Sequence, residues 1–446
     1  MKRRASLTSF LEQVLGPLSS LTARNAASSF IALGWLSLLS MLTIPVYIRL
    51  LGISEWGLVA ACASLQILSN FIDAGFSQIV PRWSAQEAHH PVRLRQYVAQ
   101  FLRMYISLGL LLFMVLQISA GYLSHHWFQV PIHRADDLEL AIRIVSFQFL
   151  FQFLNNLHIG LWNGLQRQVL ANVRACGFGT LKHAAALMAL TMGPAQAWLY
   201  TLAFAAVAFL EVCYNAITVR HMLGKGSTDA ADDTVALGPL LKEVSVLSSG
   251  ILVGLLVSQL DRIILSRSVD VESFGIYTVV STLALAFLSL QAPMTRAYFP
   301  IIVHDIKSQG RVSNIHIKRM LTGTVFFSTL PALLACAFAP QILSMWLHDP
   351  KIVSVGTGPL RLLLVAIALN SLYGCIYHII IATGQSKRVL QFNLSALLTA
   401  TLIVVFQKMV TGILLGGVIW LANTSTQLLL GLAWLIDQHR LTRKYR

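Results

Sequence analysis

The apolar stretch Trp56–Pro81 carries polar residues that include Gln66, Asn70, Asp73 and Ser77. In an α-helix, which turns about 100° per residue, these four would fall within roughly 40° of one another and form one face. A carboxylate near the centre of a bilayer costs about 2.5–3.5 kcal/mol, so this face should meet protein or water rather than lipid. Either the face lines a polar cavity in which Gln66, Asn70 and Asp73 bind substrate, or it forms an interhelical contact that only holds helices together.

Basic residues occur within other apolar stretches. Cations near the ends of such stretches can extend their side chains to the membrane surface. This explanation is harder to apply to Lys182, Arg262 and Arg296, which lie farther inside. Gln259 shares a helical face with Arg262. A cavity lined by these four residues would be positive and able to hydrogen-bond, which suits an anionic head group that carries sugars. The alternative is that every charge is paired locally or reaches the surface.

Acidic residues are fewer in these stretches and include Asp73, Glu211, Glu243 and Asp261. Asp73 and Glu211 are the candidates for proton coupling. Three uncharged polar residues, Asn370, Tyr373 and Tyr377, share the face of another helix.

The composition is that of a polytopic membrane protein. Of the 446 residues, 56% are hydrophobic and 11% are charged, whereas a soluble domain has about 25% charged residues. The net charge of +15 is scattered over short connections, which indicates membrane orientation rather than nucleic-acid binding. The five cysteines lie in apolar segments without CxxC spacing, and neither a metal nor a cofactor is predicted.

Hydropathy and length predict an all-α fold with about twelve membrane spans. The predicted spans are 24–48, 56–80, 98–121, 137–162, 167–190, 195–218, 240–266, 273–299, 317–339, 358–382, 387–408 and 412–436. Most Lys and Arg residues between spans fall on one side, which places both termini in the cytoplasm. The predicted parts are a cytoplasmic amphipathic segment (1–23), a six-helix bundle (24–218), a cytoplasmic linker (219–239), a second six-helix bundle (240–436) and a cytoplasmic basic tail (437–446).

Two pairs of segments repeat at nearly the same distance along the chain. Arg49–Gly57 corresponds to Arg267–Gly275, at an offset of 218 residues, and each ends in an aromatic residue followed by glycine. Asn163–Leu170 corresponds to Thr383–Leu390, at an offset of 220 residues. Two matches at similar offsets predict two homologous halves.

Several motifs together resemble the polysaccharide transport family, the Wzx-type flippases of O-antigen and capsule repeat units. They are GxxEWG and DAG within residues 52–75, NGLQR at 163–167, SQLDRIILS at 258–266, and ESFGIYT followed by APMTRAYFP within 272–300. The wider superfamily includes the MATE exporters and the lipid II flippases.

The resemblance implies two six-helix bundles related by a pseudo-twofold axis around a central cationic cavity. It also implies that Arg24, Asp73, Arg262 and Arg296 line this cavity. The expected function is translocation of an undecaprenyl-pyrophosphate-linked oligosaccharide from the cytoplasmic to the periplasmic leaflet of the bacterial inner membrane. The implied partners are this glycan, membrane lipids, and polymerase and chain-length proteins of polysaccharide assembly.

Four alternatives stay open from the residues. One is a MATE-like drug or cation antiporter, in which acidic residues should dominate the cavity. The others are a lipid II flippase, a lipid scramblase without sugar specificity, and a membrane glycosyltransferase, polymerase or ligase. For such an enzyme, the largest candidate loop is 122–136, which with its neighbours forms either a small catalytic cluster or a solvated loop: His125, His126, His133, Arg134, Asp136 and Asp137.

Overall fold

The computed structural model describes residues 21–224, 237–309, 313–406 and 412–444. Within these ranges, the structure describes only the backbone of residues 21–23, 237–250, 293, 296, 307, 309 and 438–444. Most of the predicted N-terminal segment 1–23 and of the linker 219–239 is therefore outside the described residues, as are the side chains of 438–446 in the predicted tail.

The described residues are almost entirely helical and contain no β-sheet, so the predicted all-α class is confirmed. The described residues divide into two compact units. The first comprises the residues up to Leu51, Leu65–Ser124 and Ile132–Ser248, and the second comprises Gly52–Ser64, His125–Pro131 and the residues from Ser249 onward.

The N-terminal part of the chain forms seven α-helices, which supply most of the first unit. They are α1 (Leu21–Ser64), α2 (Gln66–Asp73), α3 (Phe76–Gln86), α4 (Pro91–Tyr122), α5 (Ile132–Gly164), α6 (Gln168–Met192) and α7 (Ala197–Leu223). Helix α5 packs against α3, α4 and α7. Aromatic and aliphatic side chains of α3, α4 and α5 form a buried cluster that includes Phe76, Phe101 and Phe153.

Nine more α-helices follow in the C-terminal part. They are α8 (Leu237–Ser268), α9 (Val271–Ser289), α10 (Ala292–Gln309), α11 (Asn314–Thr324), α12 (Leu330–Ala337), α13 (Ala339–Leu347), α14 (Pro350–Ala382), α15 (Ser386–Phe406) and α16 (Leu414–Lys444). Helix α14 is central in the second unit, because it contacts α9, α10, α12, α13 and α16.

The described part of every predicted span falls mainly on helical segments. Eight helical stretches among the described residues are long and apolar enough to cross a membrane, and the first of them, Arg24–Asp73, contains parts of two predicted spans. The protein is thus an integral membrane protein by the length and composition of its helices.

The stretch Trp56–Pro81 is not the single helix that its composition predicts. Helix α1 ends at Ser64, α2 ends at Asp73 and α3 begins at Phe76. The Leu68 amide donates to the Leu65 carbonyl at 3.1 Å, an i+3 bond that tightens the first interruption. Pro81 has no amide hydrogen to bond the Ser77 carbonyl one turn earlier. The helical face predicted for Gln66, Asn70 and Asp73 therefore does not continue across Ala74 and Gly75 to Ser77.

Two glycines at equivalent positions of the sequence repeat meet within the second unit. A Cβ atom on Gly275 would lie 2.9 Å from the Gly57 Cα, and a Cβ atom on Gly57 would lie 2.3 Å from the Val271 carbonyl oxygen. Only residues without a side chain allow the backbones to approach this closely. The aromatic–glycine motif that marks the repeat is thus explained by packing.

Candidate functional site

The Asp73 carboxylate is held by two neutral donors of the first unit. The Tyr105 hydroxyl donates to Oδ1 at 2.9 Å, and the Asn156 amide donates to Oδ2 at 3.0 Å. Tyr105 is buried and packs edge-on against Phe76. Because neither donor is a cation, these two bonds satisfy the carboxylate oxygens without neutralising the charge.

The other substrate-binding residues predicted in the first two helices differ in their exposure to solvent. Gln66, on the same short helix α2 as Asp73, is half-buried, and Asn70 is exposed. Arg24, in the first turns of α1, is also exposed.

Lys182 forms an ion pair inside the first unit. Its Nζ donates to Glu211 Oε2 at 2.6 Å, and the two side chains are 16% and 9% exposed. Glu211 also accepts a hydrogen bond from the Asn155 amide at 2.8 Å. The structure therefore joins a predicted substrate-binding residue to a predicted coupling residue.

The ion pair continues into a chain of hydrogen bonds that reaches a second cation. Asn215 donates to Asn155 at 2.6 Å, and Arg174 donates to Asn215 at 2.7 Å. The Arg174 guanidinium also lies 4.8 Å from the ring centroid of Trp162 and 4.6 Å from that of Tyr214. The hydrogen-bonded network that links Lys182 to Arg174 contains two cations and one carboxylate, so its net charge is positive.

Asn215 is a member of this network that was not predicted from the sequence. Glu211 and Asn215 are four residues apart on α7, and Thr218, which accepts from Arg174 at 3.0 Å, follows three residues later. This spacing places the three on one helical face and was the signal available.

Arg262 and Gln259 line a cavity of about 140 Å³ in the second unit. Arg262 Nη2 donates to the Ser281 hydroxyl at 3.4 Å. Asp261, also in the lining, is buried and accepts from the Tyr277 hydroxyl at 2.5 Å. Arg296 lies on α10, and its side chain is outside the described residues.

A larger cavity of about 390 Å³ adjoins the first one. The two cavities share Ser258, Leu288 and Trp420 in their linings. Asn370, Tyr373 and Tyr377 all line the larger cavity, which confirms that they share a face of α14. The volume lies in the range of small-molecule sites, about 300–1,000 Å³.

The described residues contain no group of three or more His, Cys, Asp or Glu side chains that could hold a metal ion.

Comparisons with known proteins agree on one family and one fold. A family model described as "Polysaccharide biosynthesis protein" matches residues 22–304. No curated protein matches the sequence. The solved structure of the lipid II flippase MurJ in its inward closed conformation is similar with a TM-score of 0.69 and 13% identity, over 93% of this chain and 87% of that chain.

Two MATE transporters are similar over nearly their whole length. The multidrug transporter DinF-BH gives a TM-score of 0.64 with 15% identity, over 95% of this chain and 96% of that chain. The Vibrio cholerae transporter VcmN in its bent form gives 0.57 with 14% identity, over 95% and 98%. At such low identities these likenesses establish the fold.

Proposed function

Since the chain belongs to the polysaccharide biosynthesis protein family and has the fold of MurJ and the MATE transporters, we propose that it is a flippase for lipid-linked glycans. Its substrate is an oligosaccharide on undecaprenyl pyrophosphate, an O-antigen, capsule or exopolysaccharide repeat unit. It moves this substrate from the cytoplasmic to the periplasmic leaflet of the inner membrane by alternating access, without covalent catalysis.

The observation that carries this proposal is the junction of two unlike cavities in the second unit. Arg262 supplies a cation to the smaller cavity, and amide and hydroxyl groups line the larger one. A guanidinium can bind a phosphate with two parallel hydrogen bonds. Uncharged polar groups, in turn, match the hydroxyls of a sugar. The two adjoining cavities therefore suit a ligand in which a phosphate group is attached to a sugar.

The membrane potential is sufficient to give this transport a direction. Outward movement of a negative charge from an inside-negative cell is favoured by about 2.3 kcal/mol per charge per 100 mV. A pyrophosphate diester with two charges gains ~4–5 kcal/mol if both cross the field. Coupling to protons through Asp73 or Glu211 is a second source of energy.

An antiporter of drugs or cations is less well supported by the described residues. Such a transporter needs carboxylates that are open to the cation. Among the described residues, the one carboxylate in the lining of either cavity is that of Asp261, in the smaller one. It already accepts a hydrogen bond from Tyr277, and Arg262, the next residue in the chain, supplies a positive charge to the same cavity. An enzyme is also less well supported, because two of its candidate catalytic residues, Arg134 and Asp137, form an ion pair with each other at 3.3 Å.

The test is Arg262→Ala, assayed by surface glycan in cells that lack the endogenous protein and by transport of lipid-linked glycan into proteoliposomes. We expect transport to fall at least tenfold with protein levels unchanged, since a hydrogen-bonded charge contact contributes about 1.5–3 kcal/mol. Arg262→Lys should restore part of the rate because it keeps the charge but loses the planar fork.

The matched control is Arg103→Ala, which removes an exposed arginine of α4. We expect it to transport at the wild-type rate. Wild-type transport by both Arg262→Ala and Arg296→Ala would refute the role of these cations in binding pyrophosphate.

A further inference from the structure

We propose that the 390 Å³ cavity of the second unit is a sugar subsite, which binds one uncharged residue of the transported glycan and thereby contributes to substrate specificity. This inference rests on the proposed function and goes further, because it assigns a chemical class of ligand to a particular cavity. The cavity lies between α8, the α9–α10 junction, α14, α15 and α16.

Among the described residues, the lining of this cavity contains one histidine, His378, and no Asp, Glu, Lys or Arg. Five of its members are amides: Gln291, Asn370, Asn393, Asn423 and Gln427. An amide side chain both donates and accepts hydrogen bonds, as does a sugar hydroxyl. An ionised ligand would find no opposite charge here, and its desolvation would be costly. The chemistry of the lining thus selects a neutral ligand with many hydroxyls.

Several of these amides are already oriented by the protein. Gln427 Nε2 donates to Asn393 Oδ1 at 2.9 Å, and Gln291 Nε2 donates to the Ser371 carbonyl at 3.0 Å. Asn423 Nδ2 donates to the Val257 carbonyl at 3.2 Å. Each bond fixes one end of an amide, so that little side-chain entropy is lost when a ligand bonds the other end.

Two buried polar groups in the lining have unused hydrogen-bonding capacity. The Tyr373 hydroxyl and Asn423 Oδ1 have no partner within the described part of the chain, and the two residues are only 6% and 4% exposed. Buried polar atoms are nearly always paired, because leaving one unpaired costs about 1–3 kcal/mol. These two atoms therefore point to a polar ligand or ordered water at this cavity.

Aromatic side chains supply the remaining contact that a sugar ring needs. Tyr377 is partly exposed, and its ring centroid lies 6.4 Å from that of Tyr373. Trp420 lines both this cavity and the Arg262 cavity. Aromatic faces carry negative electrostatic potential and bury apolar surface, so they complement the C–H faces of a pyranose. The shared wall at Trp420 places this sugar beside the cation.

The experiment measures binding of free sugars to the purified full-length protein in nanodiscs. The probes are glucose, galactose, N-acetylglucosamine and rhamnose, with glucuronic acid as the charged comparison, and the readout is a saturable rise in melting temperature. Asn370→Leu is the test variant, since no hydrogen bond among the described residues involves the Asn370 side chain. Gln391→Leu, on the exposed side of α15, is the control.

We expect at least one neutral probe to bind the wild type and the Gln391→Leu variant, and glucuronic acid to bind more weakly. Asn370→Leu should weaken binding of that neutral probe roughly threefold to tenfold, the effect of one lost hydrogen bond. Failure of all four neutral probes to bind, equal binding of glucuronic acid, or wild-type affinity in Asn370→Leu would each overturn the subsite.

The subsite and the proposed function fail in different ways. Arg262→Ala should lose transport of the lipid-linked glycan but keep the wild-type affinity for the free neutral sugar. If the neutral sugar binds while Arg262→Ala transports normally, the role of Arg262 is wrong and the subsite stands. If no sugar binds while Arg262→Ala abolishes transport, only the subsite is wrong.

Discussion

The buried ion pair between Lys182 and Glu211 allows a structural role to be separated from a role in coupling. Lys182→Met would leave the Glu211 carboxylate with the Asn155 amide as its one partner among the described residues. Glu211→Gln would leave the Lys182 ammonium without a countercharge. Breaking one side of a buried pair costs about 3–5 kcal/mol, chiefly because the remaining charge is uncompensated.

The combined variant Lys182→Met/Glu211→Gln should be far less damaging than either single change. It removes both charges together, and Gln at position 211 keeps an oxygen that can accept from Asn155. We expect the double variant to lie within about 1–2 kcal/mol of the wild type, so the two single effects should be strongly non-additive. Equilibrium unfolding in detergent measures the three stabilities, and proteoliposome transport is assayed on the same preparations.

The two readouts then distinguish the hypotheses. If the pair only stabilises the fold, the double variant regains both stability and transport. If Glu211 carries a coupling proton, the double variant regains stability while transport stays low. Wild-type stability in Lys182→Met, or single effects that add in the double variant, would refute the assignment of a buried ion pair.

Two further predictions concern the other contacts of known geometry. Tyr105→Phe removes one of the two donors to Asp73 and should lower stability by about 1.5–3 kcal/mol in the same unfolding assay; an unchanged midpoint would contradict the 2.9 Å bond. Gly275→Ala places a Cβ atom 2.9 Å from the Gly57 Cα and should lower the melting temperature, at a cost of about 1–3 kcal/mol. The control is Gly177→Ala, where a Cβ atom would meet nothing within 4 Å. An equal loss of stability in the two variants would refute the close packing of Gly275 as the cause.

Elements that depend on local composition could be predicted from the sequence. The predicted spans fall on helices because long apolar segments must satisfy their own backbone hydrogen bonds in lipid. The face of Asn370, Tyr373 and Tyr377 was also predictable, because α14 runs unbroken from Pro350 to Ala382. The face from Gln66 to Ser77 was not, since it required an ideal helix where the chain has two interruptions.

Pairings between distant helices could not be read from spacing. Lys182 and Glu211 are 29 residues apart, and Asn155 lies 56 residues before Glu211. Each lies on a different helix, so their contact depends on which helices pack together and at which register. The same holds for the larger cavity, whose amides come from the α9–α10 junction, α14, α15 and α16; only Asn423 and Gln427, one turn apart on α16, share a helix.

The partners of the acidic residues bear on how transport is driven. Glu211 is matched by Lys182, so removing its charge by protonation would strand the ammonium. Asp73 is held by Tyr105 and Asn156, which are both neutral, so a proton arriving there would strand no cation. Of the two predicted coupling residues, we therefore infer that Asp73 is the better candidate for a proton carrier and Glu211 the better candidate for a structural partner. If transport is instead driven by the potential alone, the neutral partners of Asp73 serve only to satisfy its oxygens.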